Sequence, residues 1–195
     1  MNVKELDALD GLISPGEGRA LMWLAGEAQG GPVVEIGSYL GKSTCYMATA
    51  GAFVWAVDLW DLRLPTEKLD KARNKNRYTV NFESTRAHQR FLEQLKAAGV
   101  EERVQWVKAP SGEVAKVWTL PIAGLFIDGA HGFGSVRLDY ESWAKWVNPG
   151  GWIAFHDADK EKGGPNRVIE ELAKPSGWWD RWERVDRMAF AWRIS

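Results

Sequence analysis

Along the chain, short runs of β-branched and aromatic residues alternate with stretches whose apolar positions recur every three or four residues. The runs are PVVEIGS (32–38), AFVWAVDLW (52–60), RVQWVKA (103–109), GLFIDGA (124–130) and WIAFHDA (152–158). Each is brief and rich in apolar residues, which reads as a buried parallel strand. Between them the helical period predicts helices over about 41–50, 78–98, 111–118 and 133–147, the last placing Val136, Tyr140, Trp143 and Val147 on one face. Ahead of the first strand, SPGEGRALMWLAGEA offers Ser14 as an N-cap, Pro15 at the first helical position and Glu17 three residues after the cap, so a capping helix is expected within residues 1–30. At the tail, RWERVDR and MAFAWRIS form two strand patterns joined too tightly for a parallel crossover, so the last strand is expected to run antiparallel. The expected fold is α/β: a doubly wound, Rossmann-like seven-stranded sheet, mostly parallel with an antiparallel last strand and helices on both faces.

Composition narrows this only at the margins. A chain of 195 residues, 45% hydrophobic and without repeats or a low-complexity linker, is expected to form one domain. A net charge of -1, from 25 basic and 26 acidic residues, offers no broad field for nucleic acid or an anionic membrane, so neither is expected as a partner. The single cysteine, Cys45, excludes an internal disulfide, and MNVKELDALDG lacks the basic start and apolar run of a signal peptide. No apolar run approaches the roughly 20 residues of a membrane helix, and a cytoplasmic location is expected. The charged segment 61–80 exceeds what a strand-to-helix connection requires and reads either as a lid or as a solvated loop. GWWDRW is expected to pack in the core rather than to wall an acceptor.

Candidate chemistry begins at VVEIGSYLGKST, residues 33–44, which closes like a nucleotide-triphosphate loop. Such a loop needs four residues between its first glycine and the Gly-Lys pair, so that successive N–H groups wrap a phosphate. Gly37 and Gly41 enclose only three. The dinucleotide pattern G-x-G-x-x-G fails too, because Ser38, Tyr39 and Leu40 separate the two glycines. Glu35, ending the strand, would repel a pyrophosphate and favour a cationic ligand. Lys42 then reads as an exposed helix residue. Ligands of open α/β sheets bind beyond the carboxyl ends of the strands, and here those ends are Glu35, Asp58, Asp128 and His156-Asp157. Asp58 follows the glycine turn at the distance, about 20 residues, from which a carboxylate accepts ribose hydroxyls. The two features together point to an adenosine-containing ligand.

Taken in order, VVEIGSYLGKST, VWAVDLW, LFIDGAHGFGSVRLDYESWAKWVNPGGWIAFHD and GPNRVIEEL resemble class I S-adenosylmethionine-dependent methyltransferases. The similarity is to the bacterial branch reading IDG-x-H after strand four and PGG-x-I-x-x-HD into strand five, methyltransferase family 24. The loop E-x-G-x-Y-x-G-x-S also resembles that of catechol-type O-methyltransferases, which use a divalent metal. The resemblance implies that Glu35, Gly37, Ser38, Tyr39, Gly41 and Ser43 surround the methionine part of S-adenosylmethionine. It places Asp58 at the ribose, Leu59 and Trp60 as walls for adenine, Ser111 at the base edge, and Asp128 at the cleft. It implies methylation of a hydroxyl on a sugar or other small molecule. The alternatives are a non-catalytic adenosylmethionine-binding protein and a P-loop-like nucleotide hydrolase.

His131, in IDGAH, is the candidate general base beside Asp128, since an imidazole titrates near neutrality; its alternative is a helix cap. Asp128 and Asp157, ending neighbouring strands, form a candidate magnesium pair, with His156 as ligand or orienting neighbour. Two departures stand against the metal. Metal-dependent relatives carry a further acid or amide beside the second Asp, where this chain has Ala158, and many have an Asp where it has Ala130. His88, within a helical pattern, is expected on a helix surface.

Overall fold

The computed structural model describes residues 1–60, 84–159, 161 and 163–194. Seven strands form one sheet: β1 (Val33–Ile36), β2 (Val54–Asp58), β3 (Val104–Lys108), β4 (Ile122–Ile127), β5 (Val147–Phe155), β6 (Trp179–Val185) and β7 (Met188–Arg193), in the order β3-β2-β1-β4-β5-β7-β6. Every neighbouring pair from β3 to β5 is parallel, and β7 runs antiparallel to both β5 and β6. The chain steps outward from β1 to β3 and then returns to lay β4 on the other side of β1. This reversal opens a crevice between the ends of β1 and β4, the place where such sheets bind ligands.

Helices cover both faces: α1 (Val3–Asp7), α2 (Pro15–Gly26), α3 (Lys42–Thr49), α4 (Ser84–Ala98), α5 (Ser111–Val117), α6 (Phe133–Trp143) and α7 (Gly164–Val168), which continues into a π turn at Ile169–Ala173. Period-two alternation divides the core. Val33, Val54, Ala56, Phe126 and Trp152 pack with Leu21, Leu24, Tyr46 and Phe91 of α2, α3 and α4, while Val34, Val57, Leu125, Ile153 and Phe155 face Val136, Tyr140 and Trp143 of α6. Two glycines permit close approach. A Cβ at Gly18 of α2 would enter the Tyr46 ring of α3, and one at Gly124 of β4 would enter the Trp152 indole of β5.

Several expectations are corrected by this packing. Residues 133–147 are not one helix: α6 stops at Trp143, a 3-10 turn spans Ala144–Trp146, and Val147 opens β5, so that the PGG turn lies inside the strand. An additional helix, α1, precedes the expected one and has its own capping box between Asn2 and Glu5. Lys42 is buried at 8% exposure, not exposed, because α1 lies over it and the Asp7 carbonyl accepts its ammonium at 2.9 Å. His88 is half-buried rather than fully exposed, since its ring packs 4.5 Å from both Trp60 and Trp106. GWWDRW does supply core: Trp179 is buried and its indole donates to the Tyr140 hydroxyl at 3.1 Å. Among the described residues no helix is long and apolar enough to cross a membrane. The 61–80 segment, with the lid expected there, lies outside the described residues.

Candidate functional site

The end of β1 is built around an enclosed carboxylate. Glu35 has no exposed surface, and its oxygens accept the hydroxyls of Ser43 and Thr44 in the first turn of α3. Burial, offset only in part by these hydroxyls, raises its carboxyl to about 7. Glu35 and Ser43 therefore pin α3 to the strand. Gly37 is left-handed at φ 90, and a Cβ there would collide with the Asp128 carbonyl. Ser38 is buried, its hydroxyl helping to hold the Glu35 carboxyl down but finding no aligned hydrogen bond among the described residues, Tyr39 is left-handed at φ 47, and Gly41 opens α3 with no side-chain cap. An uncapped helix start and a glycine cradle lie where a polar ligand would sit.

Asp58 ties two loops together. One oxygen accepts the Tyr39 N–H at 2.8 Å and the other the Trp60 N–H at 2.5 Å, while the Trp60 indole donates to the Tyr39 carbonyl at 2.7 Å. A carboxylate has about four lone-pair positions, so two remain for ribose hydroxyls. Leu59 is 50% exposed beside it, whereas Trp60 is 1% exposed and packs into the core against Phe91. Of the two residues expected to wall adenine, Leu59 alone presents exposed surface. Ser111 stands at the first turn of α5, whose N-terminus has no side-chain cap, but its own hydroxyl donates to Asp139 of α6.

Beyond β4 and β5 the acids and imidazoles meet. His131 is 46% exposed; its Nδ1 lies 2.8 Å from Asp157 Oδ2 and its Nε2 3.5 Å from Asp128 Oδ1. His156 is 2% exposed, with Nδ1 2.8 Å from Asp128 Oδ1, a charge contact lacking hydrogen-bond alignment, and Nε2 3.3 Å from Glu17 Oε2. Burial alone would lower the His156 pKa, but Asp128 and Glu17 outweigh it and raise it to about 10. Asp157 is left-handed at φ 49 and receives Arg187 Nη1 at 2.5 Å. Two hollows flank the sheet. One of about 500 Å³, lined by Trp55, Val114 and Trp118, lies beside α5; the other, about 590 Å³ and lined by Ala158, Asn166 and Arg184, adjoins the end of β5.

A family model described as a methyltransferase domain matches residues 34–158, from β1 through the turn after β5. The chain belongs to that family. TomG, an O-methyltransferase from Streptomyces achromogenes involved in tomaymycin synthesis and solved with S-adenosylmethionine, has a TM-score of 0.67 at 16% identity, covering 98% of this chain and 86% of that one. A putative O-methyltransferase from Klebsiella pneumoniae gives 0.67 at 16% identity, covering 99% and 86%. An rRNA methylase from Streptococcus thermophilus gives 0.61 at 13% identity, covering 95% and 100%. These likenesses establish the methyltransferase fold, with its mostly parallel seven-stranded sheet.

In this class I S-adenosylmethionine-dependent methyltransferase, the expected magnesium pair does not fit. Magnesium takes near-octahedral oxygen ligands, yet the donor atoms that gather within 4.8 Å come from Asp128, His131 and His156, two of them imidazoles. Asp157 is turned instead to Arg187 and His131. Glu17 and Arg187 were not legible as site residues. Glu17 has a sufficient local role in the Ser14 cap, and it meets His156 across 139 positions of sequence.

Proposed function

We propose that this methyltransferase methylates a hydroxyl oxygen on a small molecule, with His131 as general base. The observation that supports this reading is the Asp157–His131 pair at the cleft mouth, in which Asp157 holds Nδ1 at 2.8 Å from a half-exposed imidazole. A carboxylate on Nδ1 favours the tautomer whose proton is there, leaving the Nε2 lone pair to accept a proton. S-adenosylmethionine, when bound, supplies an electrophilic methyl group whose bonding pair stays on sulfur as adenosylhomocysteine leaves. The Gly37–Gly41 loop and Asp58 would hold its methionine and ribose parts, and Leu59 its adenine. His131 takes the hydroxyl proton as the oxygen lone pair becomes the new carbon–oxygen bond, and Asp157 stabilises the imidazolium that results.

A small acceptor fits this mouth better than a nucleic acid. Asp128, Asp157 and Glu17 place three carboxylates around two imidazoles and one guanidinium, an arrangement that offers little to a phosphate backbone. The P-loop alternative loses its ammonium, because Lys42 is committed to the Asp7 carbonyl. Calorimetry tests the cofactor: adenosylhomocysteine should bind and ATP should not. With an acceptor identified from a panel of phenolic and sugar hydroxyls, His131→Ala should lower turnover by roughly 10²–10⁴-fold at nearly unchanged cofactor affinity. Full activity in that variant would return His131 to a structural role.

A further inference from the structure

The carboxylates ending β4 and β5 each meet a cation that the chain itself supplies. Asp128 Oδ1 lies 2.8 Å from the enclosed imidazole of His156, and Asp157 Oδ1 lies 2.5 Å from Arg187 Nη1. Arg187, in the turn between β6 and β7, is held on several sides. Its Nη2 donates to the Leu12 carbonyl at 2.9 Å and lies 3.3 Å from His156 Nε2, while its backbone N–H donates to Glu17 at 3.0 Å. Glu17 closes the circuit from α2, with its other oxygen 3.3 Å from His156 Nε2. His156 and Arg187 thus face the two carboxylates that would otherwise attract a divalent ion, and Glu17 from α2 braces both of them.

We propose that Arg187 and Glu17 are positioning residues that take the place of a metal: Arg187 fixes Asp157, which orients His131, and Glu17 fixes His156 against Asp128. The inference rests on the base assignment above for what His131 does, but not for the metal. The cluster of Asp128, His131 and His156 is also a donor set that late transition ions accept. Such an ion would have to share the His156 imidazole with a guanidinium 3.3 Å from its other nitrogen. The guanidinium already supplies the positive charge, and its planar fork is fixed by giving one arm to Asp157 and the other to the Leu12 carbonyl.

Two measurements on the full chain test this without an acceptor. Electron paramagnetic resonance with Mn²⁺ should find the wild-type protein unable to compete for the ion, while Arg187→Met/His156→Asn, freed of both cations, should bind it at least about tenfold more tightly. Because the chain has three histidines, their imidazole nitrogen signals can be assigned by substitution. In its neutral form, His131 should carry its proton on Nδ1 in the wild type. In Arg187→Met the Nε2–H form should grow at unchanged adenosylhomocysteine affinity. Arg187→Lys, which keeps the charge but not the fork, and Glu17→Gln should fold if the methionine variant does not, and Arg187→Lys should give an intermediate tautomer ratio. Tight binding of Mn²⁺ or Co²⁺ by the wild type, abolished in Asp128→Ala, would overturn the proposal, as would a His131 tautomer indifferent to Arg187. Failure to bind adenosylhomocysteine would sink the cofactor reading and leave this one untouched.

Discussion

At the scale of single residues, the two acids nearest the glycine loop do opposite work. Asp58 stays at the cleft with two backbone donors and spare acceptor positions. Asp58→Ala should therefore weaken adenosylhomocysteine binding by about 1.5–3 kcal/mol, the usual loss for hydrogen bonds to a charged group. It should also lower the melting temperature, since the Tyr39 and Trp60 loops lose their shared acceptor; unchanged affinity in calorimetry would remove Asp58 from the ribose. Glu35 is instead interior. Its folded carboxyl, at about 7, lies above the ordinary value of 4.5, so protonation favours the folded state. This contribution is full below 4.5 and disappears as pH rises through 7. Glu35→Gln, nearly isosteric, should flatten that part of the urea-unfolding profile, a difference of about 3 kcal/mol at most. A profile that keeps its slope in the variant would place the titration elsewhere.

Among elements, what the sequence made legible was local or periodic. The Ser14–Glu17 cap, the Gly37–Gly41 turn and the buried strands β1 and β4 stand where spacing put them, whereas β3, at the sheet edge, keeps largely exposed side chains and β5 begins at Val147 rather than near Trp152. Errors arose where a distant element settled the environment. Lys42 looked exposed on α3 until α1 covered it, and His88 looked exposed on α4 until Trp60 and Trp106 met it. The glycines of the interior were equally silent. Gly124 reads as an ordinary strand residue, yet the Trp152 indole occupies the space its Cβ would need. Gly124→Ala should destabilise the protein by about 1–3 kcal/mol, as overpacking does, with adenosylhomocysteine affinity per folded molecule unchanged. Thermal melting and calorimetry together separate that outcome from a local effect on the cleft.

Across the whole molecule, the candidate site joins chain ends that sequence order keeps apart. His131, Asp128 and Asp157 were legible from their places after strands, but the groups that hold them, Glu17 and Arg187, come from α2 and the β6–β7 turn. No local pattern marks such a contact, since Glu17 already has a role in its own cap and the partners of Arg187 lie far away in sequence. The network should appear in global stability. The folded His156 pKa is raised from 6.5 to about 10, so its stabilisation is full below 6.5 and fades as pH climbs toward 10. Glu17 behaves oppositely. Burial opposes its ionisation, but His156, Ser14 and Arg187 hold its carboxyl below the ordinary 4.5, so its contribution is present above that value and is lost on further acidification. The two together are strongest between 4.5 and 6.5. Urea unfolding should accordingly show the wild type less stable at about pH 9.5 than at about pH 6, by on the order of a few kcal/mol. His156→Gln, which cannot bind the proton, should be less stable at the lower pH and should lose most of that alkaline decline. A variant whose stability fell as far as the wild type's across the same interval, beyond the share that Glu35 contributes on its way through 7, would show that the proton released on unfolding is not carried by His156, and that the circuit linking α2 to the last turn is held by geometry rather than charge.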